Sequence, residues 1–254
     1  MDKLFILALL AGVYIGFGGQ LATTIMHDLA PYLGAGFSKF LGGAMFSVGL
    51  ILVVIGGAEL FTGNNLIMLP CLQHTPGCTV KGLIRNWIIV YIGNFVGALL
   101  FVVIIFGSGL YKTTNYALGV AALSTANAKV QLTFTEALCR GIACNWLVCL
   151  AVWLSTASDD VTGKIFAIFF PITAFVASGF EHSIANMFFI PMGLLLKDVS
   201  AVVEKAGLDL SHLTWSSFLG NNLLPVTLGN IIGGAFFVGT LYWYIYLHDA
   251  KKTK

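Results

Sequence analysis

Glu59 and Glu181 each lie in the middle of a long apolar run. A carboxylate at membrane depth is expensive, so each is a functional candidate by default. Both sit in one local pattern. Gly57-Ala58-Glu59-Leu60-Phe61-Thr62-Gly63-Asn64 and Gly179-Phe180-Glu181-His182-Ser183-Ile184-Ala185-Asn186 both fit Gly-x-Glu-x-x-x-small-Asn. Glycine before and asparagine after, twice, implies a duplicated broken helix, the sequence pointer to a transport site at the bilayer midplane.

Other side chains around these breaks could act on a small ion. His182 is the one histidine inside a spanning run. A hydrogen-bonded core histidine is its plain reading, but imidazole titrates near physiological pH and could hold or move a proton. Thr62 and Ser183 stand just before the second half-helices and are preferred N-cap types. Capping would account for them, and the helix N-terminus beside them offers free N–H groups and partial positive charge to an anion. Lys129 precedes the fourth apolar run and reads equally as an interfacial snorkelling residue. Asn145, within that run, reads as polar glue between helices. Glu59 and Glu181 are expected to accept hydrogen bonds from unwound backbone or to be protonated. With Asn64, Asn186 and Ser183, they then form the scaffold of the breaks. Glu136 and Arg140 are spaced as an ordinary i, i+4 ion pair. Cys71, His74 and Cys78 supply three metal ligands without a fourth, so no metal centre is expected. Nothing calls for a cofactor.

The elements that must position these residues are membrane helices. The chain of 254 residues is 58% hydrophobic and 9% charged, with mean hydropathy +0.91. Soluble domains carry about 25% charged residues. Lys and Arg are too few and scattered for a nucleic-acid footprint. Spanning takes about 20 apolar residues. That predicts six helices, at roughly 4–26, 39–69, 83–108, 132–156, 164–196 and 221–247. The first is too long for a cleaved signal segment and reads as a transmembrane helix; the chain starts so close to it that a longer native N-terminus is expected. The second and fifth are too long for straight spans and contain the two Glu motifs.

The duplication extends further. Ala8-Leu9-x-x-Gly12 echoes Ala137-Leu138-x-x-Gly141, and Asn86-x6-Gly93-Asn94-x2-Gly97 echoes Asn222-x6-Gly229-Asn230-x2-Gly233. The three matches come in the same order, at offsets of 129, 122 and 136. Three helices per half is an odd number, so the halves, about 1–110 and 130–254 of a single pore domain, must run in opposite orientations: an inverted 3+3 repeat. With the N-terminus inside, Lys3, Lys81, Arg85, Lys164, Lys251, Lys252 and Lys254 lie on the cytoplasmic side, against Lys39, Lys112, Lys129, Lys197 and Lys205 outside. Both termini are therefore expected to be cytoplasmic, in the plasma (inner) membrane.

Gly57 to Thr62, Asn145 to Trp153, Phe175-Val-Ala-Ser-Gly-Phe-Glu-His-Ser-Ile-Ala-Asn-Met187 and Pro225-Val-Thr-Leu-Gly-Asn-Ile-Ile-Gly-Gly234 resemble the formate–nitrite transporter family over essentially the whole chain. The resemblance implies an aquaporin-like six-helix protomer in a homopentamer, each with its own pore for a small monovalent anion such as formate, nitrite, hydrosulfide or, in some branches, lactate. It makes His182 the pore histidine, Thr62 the hydroxyl facing it, Lys129 the vestibule cation and Asn145 a polar pore-side group. It places Leu50, Leu60 and Phe61 at a cytoplasmic constriction and Phe46, Val148 and Phe175 at a periplasmic one. Without it, these apolar residues would be read as core.

Two other function classes fit less well. A neutral-solute channel of the aquaporin type would carry paired Asn-Pro-Ala motifs, and the half-helices here begin Glu-Leu-Phe-Thr and Glu-His-Ser-Ile instead. A membrane enzyme would show a nucleophile elbow, His-Glu-x-x-His or a dinucleotide glycine fingerprint, none of which occurs.

Overall fold

In a computed structural model, residues 3–248 are described, and their regular structure is helical with no strands among them. The Lys251, Lys252 and Lys254 cluster that weighs in the orientation argument lies outside the described residues. Six spans are present. Helix α1 covers Lys3–Met26 and α2 covers Ala30–Gly56. After a break, α3 (Phe61–Asn64) continues through a 3₁₀ turn, Asn65–Ile67, into α4 (Met68–Leu72). Helix α5 (Val80–Gly107) closes the first half. Helix α6 (Ala117–Val130) links it to α7 (Phe134–Thr156). Helix α8 (Val161–Ala177) is followed by the second break and α9 (Ser183–Leu196), then α10 (Ser200–Ala206). The last span runs from α11 (Trp215–Ser217) through π-helical Phe218–Leu223, α12 (Leu224–Ile231) and π-helical Ile232–Thr240 into α13 (Leu241–Tyr246).

Helix α1 packs against α2 and α5, and α7 packs in the same manner against α8 and α12. The breaks sit where the Glu motifs predict them. Gly57 and Gly179 end α2 and α8 in left-handed conformations, with φ of 75° and 73°, which a side chain would resist. Beyond each, the chain is extended for a few residues and then re-enters a helix.

Two expectations change and two contacts are added. Helix α6 lies between the third and fourth runs, where hydropathy predicts no span; it has small residues on all sides and no long apolar run. The second span starts at Ala30 rather than near 39, with Gly34 kinking its first turns at φ 80°. Cys71 and Cys78 are paired as a disulfide, a link not expected from the sequence. Glu136 closes a capping box at the start of α7, accepting from the Thr133 amide at 2.9 Å and hydroxyl at 2.8 Å, with Arg140 the lesser electrostatic partner.

The repeat register of the first helix also shifts. The Glu59 amide donates to Leu7 O and the Glu181 amide to Arg140 O. Asn94 donates to Ala8 O and Asn230 to Gly141 O. Gly93 faces Phe5 O and Leu9 N, and Gly229 faces Leu138 O and Ile142 N. Each of these pairs relates α1 to α7 by an offset of 133, against the 129 of the Ala-Leu-x-x-Gly match. A slip of four residues is about one helical turn and keeps the same face toward the neighbour, so a small-residue pattern does not detect it.

Candidate functional site: a polar contact at the end of an apolar cavity

The two breaks meet in the protein interior and are held by asparagines. Asn94 accepts from the Phe61 amide at 2.9 Å and donates to Ala8 O and Glu59 O at 2.7 and 2.9 Å. Asn230 repeats this, accepting from the Ser183 amide at 2.9 Å and donating to Gly141 O and Glu181 O at 2.8 and 3.0 Å. A second pair reaches the carboxylates. Asn64 donates to Glu59 Oε2 and Asn86 Oδ1, and Asn186 donates to Glu181 Oε2 and Asn222 Oδ1. Backbone unwound within hydrocarbon must have its polar groups met inside the protein, and Asn94 of α5 and Asn230 of the last span do so. The carboxylates thus receive side-chain amides rather than unwound backbone N–H groups. The repeated Asn-x7-Asn spacing was visible in the sequence, but the jobs of Asn94 and Asn230 were not assigned from it.

The pairing at the breaks corrects the positions of two residues. Phe61 and Ser183 make the equivalent amide contacts, so His182 is the counterpart of Leu60, and Ser183 is not the counterpart of Thr62. Neither hydroxyl caps. Leu60 is the N-cap of α3 without a side-chain bond, and His182 is the N-cap of α9, its Nδ1 accepting from the Ala185 amide at 3.0 Å. Ser183 Oγ is buried with no protein partner.

That cap decides the histidine tautomer. A backbone N–H only donates, so Nδ1 is an acceptor and the ring proton resides on Nε2. His182 Nε2 lies 2.8 Å from Thr62 Oγ1. The imidazole therefore donates to the Thr62 oxygen, and the Thr62 hydroxyl proton is left free for a third partner. Both side chains are at most 3% exposed.

A cavity of about 260 Å³ ends at His182. Phe46 and Phe175 line it beside the histidine, with Phe175 stacked on His182 at 5.9 Å between ring centroids and edge-on to Phe46 at 5.6 Å. Lys129, in the last turn of α6, lines it too. Its ammonium lies 2.7 Å from Glu181 Oε1 and 5.5 Å from the centre of the Phe189 ring. Past His182 the space narrows to a crevice lined by Phe46, Leu50, Leu60, Val148 and Phe175. Three of the sequence candidates line neither space, and of these Thr62 is linked to the cavity only through His182. Phe61 packs edge-on to Tyr91 and Trp87 and lines a separate apolar groove between α5 and the last span. Asn145 is wholly buried behind α3, donating to Thr62 O, Asn65 Oδ1 and Asn230 O.

Six spans with an inverted repeat, two half-helices meeting end-on and a cavity closed by phenylalanines define a multi-pass membrane transport protein of the channel type. The formate/nitrite transporter model matches residues 1–244, and the chain belongs to that family. It is 46% identical to a probable formate transporter of Methanothermobacter thermautotrophicus, over 98% of this chain and 90% of that one. It is also 46% identical to formate channel FocA of Escherichia coli strain K12, over 97% of this chain and 87% of that protein. Among solved structures it resembles a pentameric formate channel with formate bound, with TM-score 0.88 and 40% identity, covering 96% of this chain and 97% of that one. The family and these relatives are transporters and channels, not enzymes.

Proposed function

We propose that each protomer conducts the small monovalent anions of weak acids, formate foremost, with nitrite and hydrosulfide in the same class, and that the protein works as a homopentamer in the plasma membrane, surrounded by lipid. The named activity of the relatives supports formate, and the pentameric state of the similar solved channel supports the assembly. Both termini on the cytoplasmic side would put the Lys129 cavity on the outer face.

One observation carries the reading: the cavity that Lys129 lines is also lined by His182, whose Nε2–H points at the Thr62 oxygen and leaves the Thr62 hydroxyl proton free. Lys129 draws the anion into the cavity. At the far end the anion meets Phe46 and Phe175, with the apolar crevice of Leu50, Leu60 and Val148 ahead. A bare anion there would lose hydration without replacement, whereas the neutral acid crosses far more cheaply. The Thr62 hydroxyl, oriented by His182 Nε2–H, donates to the permeant at the narrowest point. This geometry supports a steadying role for the pair: a second proton on His182 Nδ1 would have to displace the Ala185 bond. Asn145 contributes indirectly, fixing the carbonyl of Thr62. Glu59, Glu181, Asn64 and Asn186 hold the breaks.

Proteoliposome flux of formate, nitrite, hydrosulfide and chloride, measured side by side, tests this. Weak-acid anions should pass at least about tenfold faster than chloride, since a tenfold rate needs only ~1.4 kcal/mol of barrier difference. Equal rates for chloride and formate would contradict it.

A further inference from the structure

The proposed passage of a neutral acid needs a proton source, and the His182 geometry does not supply one. The cavity holds a second histidine. His27 follows the C-terminus of α1 and lines the same cavity as Lys129 and His182. It also lines a more open cavity of about 430 Å³ with Thr114, Asn115 and Lys205. The ring therefore stands at the boundary between open space and vestibule.

Its hydrogen bonds are the reverse of those of His182. Nδ1 lies 2.7 Å from Thr24 O, a carbonyl that only accepts, so Nδ1 carries a proton. Nε2 lies 3.0 Å from Thr114 Oγ1, a hydroxyl that can donate or accept. Nε2 can thus gain or lose a proton while every bond survives, because the threonine hydroxyl only has to rotate. Thr114 is held in place by a run of three non-glycine residues in left-handed backbone, Thr114, Asn115 and Tyr116, at φ 51°, 52° and 69°. Such a run costs free energy and persists where the surroundings impose it. Lys205 braces it, donating to Asn115 O at 2.6 Å. The charged and titratable groups around the ring are Asp28, 3.6 Å from Nε2, Lys205 on the open side, and the Lys129–Glu181 pair with His182 on the vestibule side. The other elements facing it, α2 and α8, present Phe46, Phe175 and Val176.

We propose that His27 is the proton donor of the vestibule, protonating the weak-acid anion before it reaches the Phe46–Phe175 constriction. In the step, the imidazolium Nε2–H bond breaks as its proton passes to the Thr114 hydroxyl oxygen, and the Thr114 hydroxyl gives its own proton to an oxygen or sulfur of the anion. This leaves neutral His27 and the neutral acid, and a hydronium ion on the open side then restores the imidazolium. The inference rests on weak-acid conduction as proposed above and assigns the proton to a residue outside the family-motif segments.

Formate flux in proteoliposomes across pH 5–8 tests it, in the parent, His27→Gln, His27→Ala with and without soluble imidazole, and Thr62→Val. With a general acid worth ~10²–10⁴-fold where water is the alternative donor, His27→Gln should lower flux by at least about tenfold near neutral pH. The deficit should shrink as pH falls and hydronium takes over. Imidazole should restore part of the flux of His27→Ala, which a purely structural defect would not allow. A parent-like pH profile in His27→Gln, or an equal loss at every pH without imidazole rescue, overturns the role of His27. Either result leaves the channel reading standing if Thr62→Val still blocks flux, whereas a parent that passes no formate overturns that reading.

Discussion

The polarity of the site is built by single residues that break the repeat's symmetry. His182 occupies the position that Leu60 holds in the first half, and Asn145, at the α1–α7 offset of 133, stands where Gly12 lies. Lys129 has an equally lopsided setting. Glu181 receives it along with the amides of Asn186 and Asn222, whereas Glu59 receives Asn64. The ammonium and carboxylate are 15% and 5% exposed, so removing one partner leaves the other's buried charge without a counter-charge. Removing a single partner from a buried pair costs about 3–5 kcal/mol. Glu181→Ala and Lys129→Ala should each lower thermal stability, and the double variant should lose less than the sum. A double-mutant cycle on the purified protein checks this, and strictly additive losses would mean that the pair does not act as a unit.

At the level of elements, sequence and structure agree where a polar residue interrupts an apolar run. Gly57, Glu59, Gly179 and Glu181 mark both breaks, because only a functional need keeps a carboxylate and unwound backbone in hydrocarbon. Agreement fails where the signal is small residues alone. Helix α6 and the α1–α7 register rest on Ala and Gly patterns that repeat every turn. Tertiary partners were hidden as well: the roles of Asn94 and Asn230 depend on amides more than 30 residues away in sequence. Those two residues predict a matched pair of defects. Each joins one buried amide and two carbonyls, and an unsatisfied buried group costs ~1–3 kcal/mol. Asn94→Ala and Asn230→Ala should therefore destabilise the protein by similar amounts, about 3 kcal/mol or more, read from thermal unfolding in detergent. A large loss in one and none in the other would show that the two breaks are not held alike.

For the whole molecule, the fold sets two half-helices end to end and lets one half supply Thr62 and the other His182. The crevice beyond His182 is apolar, so on the proposed function selectivity falls on what can shed its charge there and on the Thr62 donor that greets it. Much of this was legible: six spans, two breaks and an inverted repeat follow from the chain itself. Which wall residues face the passage was not. Phe61 and Asn145 point elsewhere, since neighbouring positions on one helix differ in facing by about 100° and sequence alone does not fix the rotation. The central claim is that the Thr62 hydroxyl, oriented by His182, carries the permeant across the narrowest point. Formate flux in proteoliposomes of Thr62→Val and Thr62→Ser tests it most directly, with folded oligomer verified beforehand. Thr62→Val, of matching shape but without the donor, should lose at least about tenfold, given ~1–3 kcal/mol for an unmet polar partner, while Thr62→Ser should stay near the parent. Full flux in Thr62→Val would contradict it.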